Sequence, residues 1–284
     1  MFVKTNTLKE IKSYFFSSLK NKYEEREVES LFMICTEEIL GLTRMEIRAN
    51  KVIILRESEL LDYNKVVKKL KKHVPIQYIF GKAPFYDREF LVDENVLIPR
   101  QETEELIQLI VNQNKSDSPK ILDIGTGSGI IAISLDLEIP NSEVTGIDVS
   151  EGALKIAEQN KDVLGSNVTF LEQNILDESL WKSNDKYDII VSNPPYVLES
   201  EKELMRPNVL ENEPHLALFV EDENPLLFYI KIVNFAIQKL KPNGILYFEI
   251  NEKYGQDVAD LMKGKVEIIK DLNGKDRFVY GIFP

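Results

Sequence analysis

KILDIGTGSGIIAISLDLEI, residues 120–139, decides how the rest of the chain is read. KILDI is a short apolar run closed by glycine, the mark of a buried strand, and GIIAISLDLEI is long enough for a helix. Between them lies DIGTGSG (123–129), a turn whose glycines permit positive φ and let a ligand approach the backbone closely. The helix start behind the turn offers N–H groups without intrahelical partners. The dinucleotide pattern Gly-x-Gly-x-x-Gly is not met, because the third glycine comes one residue early: Gly125, Gly127, Gly129, then Ile130. A P-loop is excluded too, since no Gly-Lys-Ser/Thr follows.

Downstream the same rhythm repeats. EVTGIDV precedes the helical SEGALKIAEQNKDVL, and VTFLEQN, YDIIVSN and GILYFEIN are further strands. Helices are expected at 225–240 and 254–262, and the tail KVEIIKDLNGKDRFVYGIF reads as an antiparallel pair turning near Asn273-Gly274. The expectation is an α/β, doubly wound, Rossmann-like sheet, mostly parallel with its last strand antiparallel.

Upstream, residues 4–73 place apolar side chains at helical spacing in TLKEIKSYFFSSLK, EREVESLFMICTEEIL and SELLDYNKVVKKLKKHV. Gly41 suits a C-cap, Thr43 with Glu46 makes a capping box, and Pro75 stops the last helix. Residues 1–75 are therefore expected to form an N-terminal helical bundle domain. The aromatic, extended stretch 76–100 reads as a β-hairpin connector, and 101–284 as the catalytic domain, opening with a helix over 101–113.

The bulk numbers bound the function. Apolar residues are 43% and charged residues 29%, ordinary for a globular protein, and no apolar run approaches the roughly 18–20 residues of a membrane span. MFVKTNTLKEIKSYFF lacks the apolar core of a leader, and the single cysteine, Cys35, excludes a disulfide framework or a Cys-based zinc site. His73 and His215 are far apart, so no metal is expected. A cytoplasmic protein is expected. Residues 1–84 carry 16 basic and 11 acidic side chains, a balance of +5, whereas the rest carries 19 and 36, a balance of −17. Nucleic acid would be repelled by so acidic a domain, so a basic protein or a small neutral group is the better partner; the bland alternative is that the acidity only aids solubility.

Two acids specify the ligand of the turn. Asp123 at the end of the first strand would repel a pyrophosphate and suit an ammonium group. Asp148, at the tip of the second strand, stands where an acid accepts hydrogen bonds from a ribose diol. Together they describe a nucleoside carrying a cationic amino acid, S-adenosylmethionine. The competing reading is a plain strand–helix turn with Asp148 as a helix N-terminal acid.

YDIIVSN ends on Asn193-Pro194-Pro195-Tyr196. The prolines cannot continue a ladder, so the backbone is stiff and its carbonyls are free. As the fourth strand of the series, its end lies at the rim that carries the glycine turn. The Asn193 oxygen and the Pro194 carbonyl can each accept one N–H of a planar NH₂ group, with Tyr196 stacked on its face. Such a clamp raises density on an amide nitrogen and aims it at a methyl donor, by positioning and preorganisation rather than general-base catalysis. An ordinary Asn-Pro turn is the bland alternative.

Asn-Pro-Pro-Tyr together with DIGTGSG resembles the amino-methyltransferase branch of the S-adenosylmethionine-dependent enzymes. QYIFGKAPFYDREFLVDENVLIPRQETEEL (77–106), and LIPRQETEEL above all, is similar to the peptide chain release factor methyltransferases of PrmC/HemK type; the likeness covers nearly the whole chain. That resemblance implies N5-methylation of the glutamine in the Gly-Gly-Gln loop of release factors, with S-adenosylhomocysteine as product. It implies that Gly125, Thr126, Gly127, Ser128 and Gly129 hold the methionine part, that Asp148 binds the ribose, and that Asn193, Pro194, Pro195 and Tyr196 bind the glutamine amide. Near the adenine amino group this chain offers Asn174 in LEQNILD, with Asp177 as the alternative. Arg100 is expected to pair with a carboxylate, Phe85 and Tyr86 to be hairpin core, KKLKKH (68–73) to be a solvated face, and Trp181 has no role. With no heptad or long apolar edge, a monomer is expected. The rival functions are an adenine-N6 methyltransferase of nucleic acid and a non-catalytic cofactor-binding adaptor.

Overall fold

The computed structural model describes residues 3–49, 52–182 and 184–284; Met1, Phe2, Asn50, Lys51 and Ser183, which fall within the leader, bundle and Trp181-loop readings, lie outside the described residues. In chain order the elements begin with helices α1 (Leu8–Leu19), α2 (Glu25–Leu40), α3 (Arg44–Ala49), α4 (Glu57–Leu70) and α5 (Ile76–Phe80). The hairpin β1 (Lys82–Phe85) and β2 (Arg88–Leu91) follows, then α6 (Gln101–Gln113), β3 (Lys120–Ile124), α7 (Ile130–Glu138), β4 (Glu143–Asp148), α8 (Glu151–Leu164) and β5 (Thr169–Glu172). The last third holds β6 (Tyr187–Ser192), β7 (Val197–Leu198), α9 (Pro207–Leu210), β8 (Phe219–Val220), α10 (Leu227–Lys239), β9 (Leu240–Glu249), α11 (Gly255–Leu261), β10 (Lys265–Lys270) and β11 (Asp276–Ile282).

The chain divides into two compact units, Met1–Gly81 with Arg206–Asn212, and Lys82–Met205 with Glu213–Pro284. In the first, α1 buries Ile11, Phe15 and Leu19, α2 buries Val28 and Phe32, and α4 buries Tyr63, Val67 and Leu70, all at helical spacing. These side chains form one core. Gly41 caps α2 at φ 64°, and Glu46 accepts from the Thr43 N–H while Thr43 accepts from the Glu46 N–H, closing the expected box. Residues 76–80, expected to be extended, form a helical turn instead. Pro75 sits at its N-cap, where its missing N–H costs nothing, and Gly81 closes it at φ 73°. Lys68, Lys69, Lys71 and Lys72 are exposed, as expected of a solvated face.

In the second unit seven strands lie in the order β10-β11-β9-β6-β3-β4-β5, and β11 alone runs against its neighbours β9 and β10. Helices pack on both faces, over two apolar cores separated by the sheet. The chain crosses between sheet halves at β3, which pairs parallel with β4 on one side and β6 on the other. The register aligns Ile124 with Ile147 and Ser192, and Ser192 with Phe248. The turns after β3, β4, β6 and β9 therefore open on one rim at the topological switch point, where open α/β sheets bind ligands.

Candidate active site

The glycine turn is folded by its own backbone. The Gly125 and Thr126 N–H groups donate to the Ile147 carbonyl at 2.8 and 3.0 Å, and Gly129 N–H donates to the Thr126 carbonyl at 2.9 Å. Gly127 and Gly129 have φ of 55° and 81°, a region costly for any residue with a Cβ. Their surroundings differ. A Cβ on Gly127 meets nothing within 4 Å, whereas one on Gly129 comes within 2.9 Å of Ile133 and Phe170. Gly129→Ala is thus expected to destabilise the fold by about 2–4 kcal/mol, strain and overpacking combined, and Gly127→Ala by only about 1–2 kcal/mol. Urea unfolding of both variants checks this; equal costs would contradict the packing argument.

Asp123 lies beneath the turn, fully buried, and lines neither of the two clefts of this site. Its Oδ2 accepts from the Thr126 hydroxyl at 2.6 Å and from the Ala132 N–H at 3.3 Å, while Oδ1 has no partner. Burial pushes its pKa up to about 7, with Asp148 adding to the effect and the Thr126 and Ala132 hydrogen bonds opposing it. Folded Asp123 thus holds its proton where the unfolded chain has lost it. Its stability contribution is fully present below about pH 4 and is lost as pH rises through about 7. Between pH 5 and 8 the parent should lose about 2–3 kcal/mol more than Asp123→Asn in urea midpoints; parallel profiles would refute this.

Asp148 is engaged on both oxygens: Oδ2 accepts from Gly127 N–H at 2.9 Å and Oδ1 from Ser150 N–H at 2.9 Å. A carboxylate has further lone pairs, so a diol can still be accepted.

Around the turn lies a cleft of about 1130 Å³, its open side included. Gly125, Thr126, Gly127, Ser128, Asp148, Asn174, Asn193, Pro194 and Pro195 line it, with apolar walls from Ile124, Ile131, Ile147, Val149, Ile175 and Phe228. Asn174 is in the wall and Asp177 is not; the Asn174 Oδ1 accepts from Leu176 N–H at 2.9 Å, leaving its amide NH₂ available. Trp181, unassigned from its polar context, is buried, stacks edge-on against Phe235 at 5.6 Å and donates from Nε1 to the Ile175 carbonyl at 3.2 Å. It braces the loop that carries Asn174. Phe85 packs against Phe90 in the core, and neither it nor Tyr86 reaches the cleft.

A smaller cleft of about 320 Å³ adjoins the first. Leu97, Arg100, Asn193, Pro194 and Ala217 belong to both, so Asn193 and Pro194 stand in a shared wall. Tyr196 lines only the smaller cleft. Its hydroxyl donates to Glu249 Oε1 at 3.2 Å, and burial, then the Glu249 charge, push its pKa up. Arg100 pairs with Glu213, Nη2 lying 2.8 and 2.9 Å from the two oxygens, and Glu213 also accepts from Ile98 N–H at 3.2 Å. Glu102 lines neither cleft.

Three residues of this constellation were not found from the sequence: Thr103, Glu213 and Glu249. Glu249 carried a signal, an acid ending the apolar strand ILYFE. Thr103 and Glu213 carried none. Among the described residues no group of three or more metal-ligating side chains occurs, and no helix is long and apolar enough to cross a membrane.

The residues present fit S-adenosylmethionine: open space beside the Gly127 backbone, an acid at the tip of the second strand, and apolar walls wide enough for a purine. Sheet order and site define the class, an S-adenosylmethionine-dependent methyltransferase. A family profile described as "Methyltransferase domain" matches residues 115–272, and one described as "PrmC N-terminal domain" matches residues 10–81. Among solved structures, a methyltransferase from Pyrococcus furiosus shares the fold at TM-score 0.50 and 18% identity, over 77% of this chain and 99% of that one. Release factor glutamine methyltransferases of Bacteroides thetaiotaomicron and Flavobacterium psychrophilum are 46% and 44% identical over 95% and 96% of this chain, each covered to 98%. That of Bacillus subtilis is 38% identical over 90% of both chains. The chain belongs to the release factor glutamine methyltransferase family.

Proposed function

We propose that the chain methylates the side-chain nitrogen, N5, of the glutamine in the Gly-Gly-Gln motif of peptide chain release factors. The observation that carries this reading is the shared wall: Asn193 and Pro194 face the cofactor cleft on one side and a side-chain-sized cleft on the other. Bound S-adenosylmethionine supplies an electrophilic methyl group and leaves as S-adenosylhomocysteine. Gly125, Thr126, Gly127, Ser128 and Gly129 hold its methionine part, Asp123 shapes that turn from below, Asp148 holds the ribose and Asn174 lies against the adenine. The glutamine amide enters by the smaller cleft. Asn193 Oδ1 and the Pro194 carbonyl accept its two N–H hydrogens, which places its lone pair toward the neighbouring cleft. Pro195 and Tyr196 close the walls. Positioning and fixed dipoles do the catalytic work, and the amide proton leaves to solvent once the C–N bond has formed.

The helical domain (1–75), with the connector (76–100) leading to the catalytic domain (101–284), gives a protein substrate a second contact surface of opposite charge balance. One chain lines both clefts, so a monomer suffices. An adenine-N6 reading uses the same slot chemistry, but the −17 balance beyond residue 84 disfavours a phosphate backbone.

The test is incubation with labelled methyl donor and a purified release factor, the label being located by mass spectrometry. One methyl on the Gly-Gly-Gln glutamine is expected. Label in added DNA or RNA, or none in the release factor, would overturn the reading. Gly127→Ala, expected to cost the fold only about 1–2 kcal/mol, should bind the donor at least roughly tenfold more weakly (on the order of 1 kcal/mol) by calorimetry, because its Cβ fills the space the ligand needs.

A further inference from the structure

Glu249 ends β9 with its side chain buried. Its Oε2 accepts from the Thr103 hydroxyl at 2.8 Å and its Oε1 from the Tyr196 hydroxyl at 3.2 Å. Tyr229 anchors the same residue by donating to the Glu249 carbonyl at 3.2 Å. Burial pushes the Glu249 pKa up, while the Thr103 and Tyr196 hydrogen bonds and the Arg277 charge favour the ionised form. As a carboxylate it has no proton to give, so both hydroxyls spend their single hydrogen on it. Toward its other neighbour Thr103 can then only accept. That neighbour is Asn193, whose Nδ2 lies 3.4 Å from Thr103 Oγ1. The polarity runs one way: amide to hydroxyl to carboxylate. With Nδ2 committed to Thr103, Asn193 Oδ1 is left as an acceptor on the opposite end of the planar amide.

We propose that Thr103 and Glu249 are positioning residues that fix which end of the Asn193 amide meets the substrate. The inference rests on the methyl-transfer reading above and deepens it. An Asn amide is nearly symmetric in shape, and packing alone does not distinguish its oxygen from its nitrogen. A reversed amide would set its NH₂ against the NH₂ of the incoming glutamine, donor against donor. The buried carboxylate prevents that from two residues away, and through Tyr196 it holds the other wall of the same slot.

Thr103→Val removes the acceptor at nearly constant volume, Thr103→Ser keeps it, and Glu249→Gln keeps the shape but abolishes the one-way polarity, because a Gln amide donates as well as accepts. Thr103→Val and Glu249→Gln should each lower kcat on release factor roughly 10–100-fold with unchanged donor affinity, and Thr103→Ser should recover to within about fivefold. Both changes break one chain, so the double variant should be no slower than the slower single variant. Losses that multiply, or a Thr103→Val enzyme with parental kcat, would overturn the proposal. A readout without substrate stands beside these. In ¹⁵N-Asn-labelled protein the Asn193 side-chain NH₂ resonances, assigned by their loss in Asn193→Ala, should move in Thr103→Val; unmoved resonances would overturn the proposal whatever the substrate proves to be. A parent inactive on release factor would instead overturn the function reading alone.

Discussion

Asn193→Ala is expected to lower kcat on release factor by roughly 10²–10³-fold, the loss associated with deleting one preorganised group at a reacting centre. The lone pair of a carboxamide nitrogen is delocalised, so the enzyme must hold the amide where its nitrogen faces the methyl carbon. In the proposed clamp two acceptors at fixed positions do this, the Asn193 side chain and the Pro194 carbonyl; both residues line the wall common to the two clefts. Asn193→Gln keeps the chemistry and displaces it by one methylene. It should be nearly as impaired, since a shift of about 1 Å in a positioned group can cost roughly 10²-fold. Steady-state kinetics with release factor in excess separates this from weakened binding: kcat should fall while the donor affinity changes much less. An Asn193→Ala enzyme within tenfold of the parent, on the order of 1 kcal/mol, would remove the clamp from the mechanism.

Arg100→Met should strongly destabilise the catalytic unit. The Glu213 side chain is 0% exposed and Arg100 is 35% exposed, so the acid depends on the guanidinium far more than the reverse. Deleting the cation leaves a buried carboxylate with only the Ile98 N–H. Orphaning one partner of a buried pair costs about 3–5 kcal/mol, while replacing both by apolar groups is often close to neutral. The double variant Arg100→Met/Glu213→Leu is therefore expected to recover most of the loss. At roughly 2–4 °C per kcal/mol for a unit of this size, Arg100→Met should lower Tm by about 6–20 °C. Thermal unfolding of the parent, the single and the double variant decides it; an unchanged Tm in the single variant would mean the pair does not hold this loop.

The strand–helix alternation, the glycine turn, and the Asn-Pro-Pro-Tyr exit from the fourth strand were all legible because their causes are local. Apolar periodicity, a breaker or a positive-φ glycine acts over a few residues, and each was recognisable before any contact was known. Residues 76–80 and Trp181 show the limit of that logic. The first stretch reads as extended beside a proline, yet Pro75 and Gly81 cap a helical turn. Trp181 reads as a loop residue among polar neighbours, yet its partner Phe235 comes from α10.

What no local pattern could reveal is the wiring of the slot. Thr103 meets Asn193 across 90 residues and Glu249 across 146, and Arg100 meets Glu213 across 113. Reading the amino acids was enough to name the fold and the cofactor and to propose the four residues of the clamp, because short-range sterics and hydrophobic spacing write themselves into neighbouring positions. Which hydrogen each polar group donates, and which acid neutralises which base, followed only once the fold had brought the start of α6 and the loop at Glu213 beside the ends of β6 and β9. Burial there removes water as an alternative partner, and each group must then bond to whatever the packing of helix and loop has placed beside it.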